Sequence, residues 1–307
     1  MKIAIIGQST FGEAVLKAIA ERGDDQVAGV FCPPDREGRP ADPIKTAAQE
    51  LGVPVFQFKR MRNQEAIDQF KALAPDLCVM AYVTDIVPMN MIDFPPQGTI
   101  QYHPSLLPRH RGPSAINWAI ISGELETGLT IFWPDDGLDT GPILLQKSVA
   151  IGPDDTVGSL YFNQLFPMGV DAIMESIDLV RSGRALKIPQ DESQATYESW
   201  CGADDAQIDW SKPAQQVYNL VRGCNPQPGA HTSHGVERLK IFDCEPRSAE
   251  QGVTPGAVVS VGDDGFEVAT ARGNLLVKRV QPPGSKKIPA AEYAAASGLN
   301  EGDVLGV

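Results

Sequence analysis

The sequence predicts an α/β chain, with a mostly parallel, helix-covered sheet in residues 1–203 and a smaller β-rich, barrel-like domain in residues 204–307. Three observations predict it. Short β-rich runs alternate with helical patterns through the first half, the rhythm of strands joined by helical crossovers. From about Arg184 to Ala206 the apolar rhythm fades into Pro, Gln, Ser and acidic residues, which marks a linker. Beyond it the chain turns to alternating strands. At 307 residues, 42% hydrophobic and 21% charged, there is enough chain to bury one large core and a second, smaller one.

The elements follow in order. Lys2–Ile6 is a short apolar run entering a turn, as a buried strand does. Phe11, Val15 and Ile19 recur at i, i+4 and i+8 and give the next segment a helical apolar face. Further strands are expected at Gln26–Phe31, Val53–Phe56, Asp76–Tyr82, Thr99–Tyr102 and Leu129–Trp133, with a helix from Ser114 to Ile121 closed by Gly123. A long helical stretch begins near Asp154 and Asp155, acidic residues suited to an N-terminus, and runs to Gly183 with a break at Pro167. After the linker, Val217, Leu220 and Val221 mark one face of a short helix with Gly223 beyond its end. Strands follow at Arg238–Phe242, Val258–Val261, Phe266–Thr270 and Leu275–Val280, with Asp263-Asp264-Gly265 turning a hairpin. A barrel of the OB-like kind suits this size better than a sandwich.

The formal charge of −13 repels phosphate backbones and anionic lipid surfaces, so a nucleic-acid partner would need a local basic patch. No apolar stretch approaches the roughly 20 residues of a membrane span, and the first ten residues are too short an apolar run for a signal peptide. The five cysteines are odd in number, widely spaced and form no CxxC pair, which fits reduced thiols in a cytoplasmic protein. No spacing suggests a metal site.

Strand one ends in Gly7-Gln8-Ser9-Thr10-Phe11-Gly12 before a helix, which invites a dinucleotide-binding reading. Ser9, however, stands where a glycine should let the backbone approach a pyrophosphate, and no strand-end carboxylate follows about 20 residues on. The expectation is a structural turn in a Rossmann-like sheet.

His103 directly follows the strand Thr99–Tyr102 and precedes Pro104, so it should project from the carboxyl end of a sheet strand, where ligands of open α/β sheets bind. The loop behind it, Pro104-Ser105-Leu106-Leu107-Pro108-Arg109-His110-Arg111-Gly112-Pro113, is stiffened by three prolines and a glycine. Asp139 lies 36 residues downstream in the loop Asp135-Asp136-Gly137-Leu138-Asp139-Thr140-Gly141, about the length of one parallel crossover, which would return it to the same sheet edge. Taken singly, such a histidine also fits a hydrogen-bonded structural residue, and the acidic loop an ordinary turn.

Together, HPSLLPRHRG followed at this distance by DDGLDTG resembles the 10-formyltetrahydrofolate-utilising formyltransferase and hydrolase family. The resemblance runs from KIAIIGQSTFG through YHPSLLPRHRGPSAINW and IFWPDDGLDTGPILLQK to Ile208–Ala214, most of the chain. It is nearest the amino-terminal hydrolase domain of 10-formyltetrahydrofolate dehydrogenase, and methionyl-tRNA formyltransferase is a related member. It implies a catalytic pair: His103 would stabilise the oxyanion formed at the formyl carbon, and Asp139 would orient and deprotonate the nucleophile or hold the histidine in its charged form. It also implies folate contacts at Asp85, Ile86 and Val87, mainly through backbone groups, and at Asp139. Arg109, His110 and Arg111 could attract the folate's glutamate tail or simply form an exposed basic loop.

Amine-formylating members carry Asn two residues before the histidine. This chain has Gln101, whose amide sits about 1.5 Å further out. Residues 204–307 hold 10 basic and 13 acidic residues, a net of −3, and Asp35 to Pro43 contains only Arg36 and Arg39 as cations. Both argue against tRNA as a partner. The resulting expectation is an enzyme that takes 10-formyltetrahydrofolate as its small-molecule substrate, needs no metal and passes the formyl group to water, with His103, Asp139 and Gln101 catalytic. The alternatives are transfer to an amine or to a carrier protein, and a non-catalytic folate-binding protein.

Overall fold

A computed structural model describes residues 1–248 and 252–307. It contains two compact units. The first comprises Met1–Pro113, Thr127–Val149 and Phe162–Glu198, the second Ser114–Glu126, Ala150–Tyr161 and Ser199–Val307.

In the first unit the chain runs β1 (Lys2–Gly7), α1 (Ser9–Arg22), β2 (Gln26–Cys32), α2 (Pro43–Glu50), β3 (Val55–Gln57), α3 (Gln64–Ala72), β4 (Leu77–Ala81), α4 (Met89–Ile92) and β5 (Thr99–His103). After α5 (Ala115–Ile121), which belongs to the second unit, come β6 (Glu126–Phe132) and β7 (Ile143–Ala150). The seven strands form one sheet in the order β3-β2-β1-β4-β5-β6-β7. The pairs β1–β2, β2–β3, β1–β4 and β4–β5 are parallel. The central strands are apolar throughout because both faces are covered. On β1, Ile3 and Ile5 pack in one core with Phe11, Val15 and Ile19, whereas Ala4 and Ile6 face another with Phe70 and Met91. Each large side chain so buried contributes roughly 1.5–3 kcal/mol.

Three expectations change here. β6 runs antiparallel to β5, with Gln101 opposite Phe132 and His103 opposite Thr130, so the connection between them is not a parallel crossover. A parallel return needs a helix packed back across the sheet, and α5 packs instead on α8 (Ala214–Gly223) within the second unit. Next, the helical stretch starts later and breaks earlier than expected. The capping box of Thr156 and Ser159 opens α6 (Val157–Leu160), and a π turn at Tyr161–Leu165 precedes α7 (Phe166–Arg181). Pro167 has no N–H to give the preceding turn, which widens accordingly. Finally, the expected linker is structured. Ile188 pairs with Ile143, and Tyr197 with Arg111.

After α8 the second unit contains β8 (His231–His234), β9 (Glu237–Arg247), β10 (Val258–Gly262), β11 (Gly265–Ala269), β12 (Asn274–Gln281), β13 (Ile288–Pro289) and α9 (Ala290–Ser297). These strands make a separate sheet in the order β10-β11-β12-β9-β8, with β13 on β12, and its pairings are antiparallel. The Asp263-Asp264 hairpin forms as expected, with Gly262 opposite Gly265. Among the described residues no helix is long and apolar enough to cross a membrane.

Candidate active site

The carboxyl end of β5 carries His103, which is buried. Opposite it on β6, the Thr130 hydroxyl donates to the Ser105 carbonyl at 2.7 Å and accepts from the Leu107 amide at 3.1 Å, turning the proline-rich loop back on itself. The Ser105 hydroxyl donates to the Arg109 carbonyl at 2.7 Å. The folded loop brings the His110 carbonyl to 2.8 Å from His103 Nε2. A carbonyl only accepts, so Nε2 carries a hydrogen, and Nδ1 is the nitrogen left to face a second partner.

That partner is Asp139, whose Oδ2 lies 3.6 Å from Nδ1, with both side chains 7% exposed. The same oxygen accepts the Gly112 amide at 2.9 Å. Asp139 has φ of +56°, a left-handed conformation that few residue types adopt readily. Asp135 shapes the turn, its Oδ1 accepting from the Gly137 amide at 3.1 Å and the Thr140 hydroxyl at 2.5 Å. A side chain at Gly141 would put Cβ 1.8 Å from the Trp133 carbonyl, so this close crossing requires glycine.

Residues 188–198, expected as linker, form a polar strap over both loops. Arg111 is 1% exposed and spends its donors here. Its Nε and Nη2 bond Gln190 Oε1 at 3.2 and 2.8 Å, its Nη groups bond Glu192 at 3.0 and 2.6 Å, and Nη1 meets the Tyr197 hydroxyl. The guanidinium holds the Glu192 carboxyl below its usual range. Gln190 Nε2 donates to the carbonyls of Asp139 at 2.9 Å and Gly141 at 2.7 Å. His110 Nδ1 lies 3.3 Å from Glu198. The basic cluster expected at Arg109, His110 and Arg111 is therefore not one exposed surface. Arg109 is exposed, but the other two are buried against the strap, where the Arg111 guanidinium is fully paired because an unpaired buried cation would be costly. Sequence reasoning missed the strap, whose polar residues serve hydrogen bonds and carry no apolar period.

Gln101 lies two residues before His103, hence on the same face of β5, and is partly buried. Asp85, Ile86 and Val87 leave β4, the strand beside β5, through Tyr82, whose φ is +62°. The three separate. Asp85 is pinned by Arg60 Nη1 at 2.9 Å and the Met61 amide at 2.7 Å, Ile86 is 76% exposed, and Val87 packs in the core beside Met91. The structure thus brings His103 and Asp139 together, sets Gln101 on the same strand face as His103, and puts the other three on the neighbouring loop. At the start of α1 the Ser9 amide bonds the Asp42 carboxylate at 2.8 Å, so an acidic side chain of the protein already meets that turn. Among the described residues no group of three or more His, Cys, Asp or Glu could hold a metal ion. A carboxylate paired with a histidine at a strand end can orient a nucleophile, move a proton and stabilise a developing anion.

Comparison with known proteins shows the family and the fold. The formyl transferase family profile matches residues 1–173 and the formyl transferase C-terminal domain profile residues 202–298. Mitochondrial 10-formyltetrahydrofolate dehydrogenase of Mus musculus is 40% identical over 316 residues, covering 96% of this chain and 33% of the mouse protein. Methionyl-tRNA formyltransferase of Trichlorobacter lovleyi is 39% identical over 310 residues, covering 99% of this chain and 96% of the other. The chain spans about a third of the length of the dehydrogenases it matches. Among solved structures, HypX from Aquifex aeolicus in complex with tetrahydrofolic acid shares the fold with a TM-score of 0.67 at 19% identity, over 96% of this chain and 47% of that one. The sugar 3N-formyl transferase WlaRD does so at 0.69 and 18%, over 93% and 99%. The chain belongs to the formyl transferase family.

Proposed function

We propose that the chain binds 10-formyltetrahydrofolate in its first unit and passes the formyl group to water, giving tetrahydrofolate and formate. The observation that carries this reading is the buried His103–Asp139 pair at 3.6 Å at the carboxyl end of β5. Asp139 orients a water molecule and takes its proton as oxygen attacks the formyl carbon. A hydrogen on His103 Nδ1, the nitrogen that faces Asp139, is donated to the oxyanion of the tetrahedral intermediate, which collapses as the bond to the folate nitrogen breaks and Asp139 passes the water's proton to that nitrogen. The segment Asp85–Val87 supplies backbone groups to the pterin, a role that suits a loop whose carboxylate is already pinned and whose Ile86 is exposed.

The charge distribution supports a small acceptor over an RNA. The second unit's Lys278 is paired with Glu245 at 3.0 Å, and Lys287 lies over the Phe242 ring at 3.5 Å. Transfer to an amine is a second reading, favoured by Gln101, whose amide shares a strand face with His103. Incubation of the protein with 10-formyltetrahydrofolate and no amine separates the two. Formate release at a steady catalytic rate is expected. Negligible release, with turnover appearing only when an amino sugar or aminoacyl-tRNA is added, would establish the second reading instead.

A further inference from the structure

We propose that Gln190 is a positioning residue for the reaction: its carboxamide, oriented by Arg111, holds the Asp139 turn and thereby aims Asp139 at His103. The proposal rests on the reading of His103 and Asp139 as the reacting pair.

Gln190 has two donor hydrogens and an acceptor oxygen, and all are engaged. Nε2 reaches the carbonyls of Asp139 and Gly141, and Oε1 accepts from Nε and Nη2 of Arg111. The orientation of the amide is unambiguous, because guanidinium groups only donate and carbonyls only accept. Arg111 is itself fixed. Its guanidinium bonds Glu192 and Tyr197, its amide donates to the Thr196 carbonyl at 3.0 Å, and its carbonyl accepts from the Glu198 amide at 3.1 Å.

The hydrogen-bonded path then reaches the site by two routes. One runs from Gln190 to the carbonyl of Asp139, a non-glycine residue at φ of +56° that needs its surroundings to keep it there. The other runs from Arg111 along the chain to Gly112, whose amide bonds the Asp139 carboxylate. Both the backbone and the side chain of Asp139 are thus held by one assembly. Neither near relative of glutamine fits position 190 equally well. Asparagine is one methylene short, and an ionised glutamate would present oxygens to two carbonyls, with no hydrogen to give.

The test uses Gln190→Ala and Gln190→Glu, each alone and combined with Asp139→Asn. Gln190→Glu keeps the volume and the Arg111 contact, so it serves if the alanine variant folds poorly. Displacement of a reacting group by about 1 Å costs on the order of 100-fold. Each single Gln190 variant should therefore lower kcat by about 10- to 100-fold, with KM for 10-formyltetrahydrofolate changed less than about threefold. In the Asp139→Asn background the further loss should be under about threefold, since the residue that Gln190 positions is already disabled. The Gly112 amide should also exchange its hydrogen faster in the Gln190 variants, a readout that needs no turnover. Equal fold-losses in both backgrounds, or wild-type kcat with unchanged Gly112 exchange, would overturn the proposal. If the wild-type protein does not turn over 10-formyltetrahydrofolate at all, the functional reading fails, and Gly112 exchange alone then decides whether the clamp exists.

Discussion

Replacing Asp139 by Asn removes one charge while keeping the side chain's shape and an oxygen for the Gly112 amide. The carboxylate lies 3.6 Å from His103 Nδ1 and both groups are buried, so salt screens them little. With an effective dielectric of about 20, unit charges at this separation interact by about 5 kcal/mol, and each 1.36 kcal/mol of barrier is a factor of ten. Attraction of this size to an imidazolium sets a ceiling between about 10³ and 10⁴ in rate. Loss of a positioned general base independently costs about 10²–10⁴. The expected kcat for formate release is therefore lower by about 10³. KM for 10-formyltetrahydrofolate should change much less than kcat, because the Asp85–Val87 loop is untouched and asparagine keeps the shape of the Asp139 side chain. Steady-state formate release measures both, with a thermal melt to show that the variant is folded. A folded variant whose kcat lies within tenfold of wild type would refute the assignment of Asp139 to the chemistry.

Asp25 offers a test of stability against pH. Burial alone would raise its carboxyl, but hydrogen bonds from the Met1 ammonium, Arg181 and Arg22 outweigh it and hold the group at about 2. A carboxyl depressed in the fold stabilises above its unfolded value near 4, and that contribution is lost as pH falls from about 4 to about 2. Asp25→Asn should cost roughly 2 kcal/mol at pH 7 and much less at pH 2.5, measured by urea denaturation at both. An equal cost at the two pH values would assign the effect to packing. Gly112→Ala should destabilise by about 3 kcal/mol or more and abolish turnover, since its Cβ would lie 2.1 Å from the Glu198 carbonyl at φ of +111°. Gly38→Ala, with φ of +71° and open space around it, is the control and should cost only about 1 kcal/mol. Similar melting curves for the two would mean that the strap does not crowd Gly112.

Much of the first sheet was legible because its strands are buried on both faces, so that Lys2–Gly7 and Leu77–Ala81 are nearly unbroken apolar runs. Phe11, Val15 and Ile19 revealed α1 for the same reason, each 1% exposed or less. Where burial is one-sided or polar, the signal weakens. β7 buries Ile143 and Leu144 and then alternates outward as an edge strand, and β8 is His-Thr-Ser-His, with no apolar residue to mark it. The direction of β6 was not readable, because a buried strand has the same composition whichever way it runs. The antiparallel register of β6 on β5, with His103 opposite Thr130, is what fixes it.

The candidate site divides in the same way. The sequence by itself determined the chemistry available: a histidine at a strand end, a stiff proline-rich loop behind it and an acidic turn 36 residues on. Tertiary structure decided which atoms meet. It set Nε2 of His103 on the His110 carbonyl and Nδ1 towards Asp139, withdrew Arg111 from solvent, and drew Gln190 from an apparent linker onto the Asp139 turn. Apolar burial repeats with the period of its element and so leaves a trace in the sequence. A hydrogen bond is a directional contact between single atoms, set by the backbone torsions of segments far apart in the chain, and it leaves no such period.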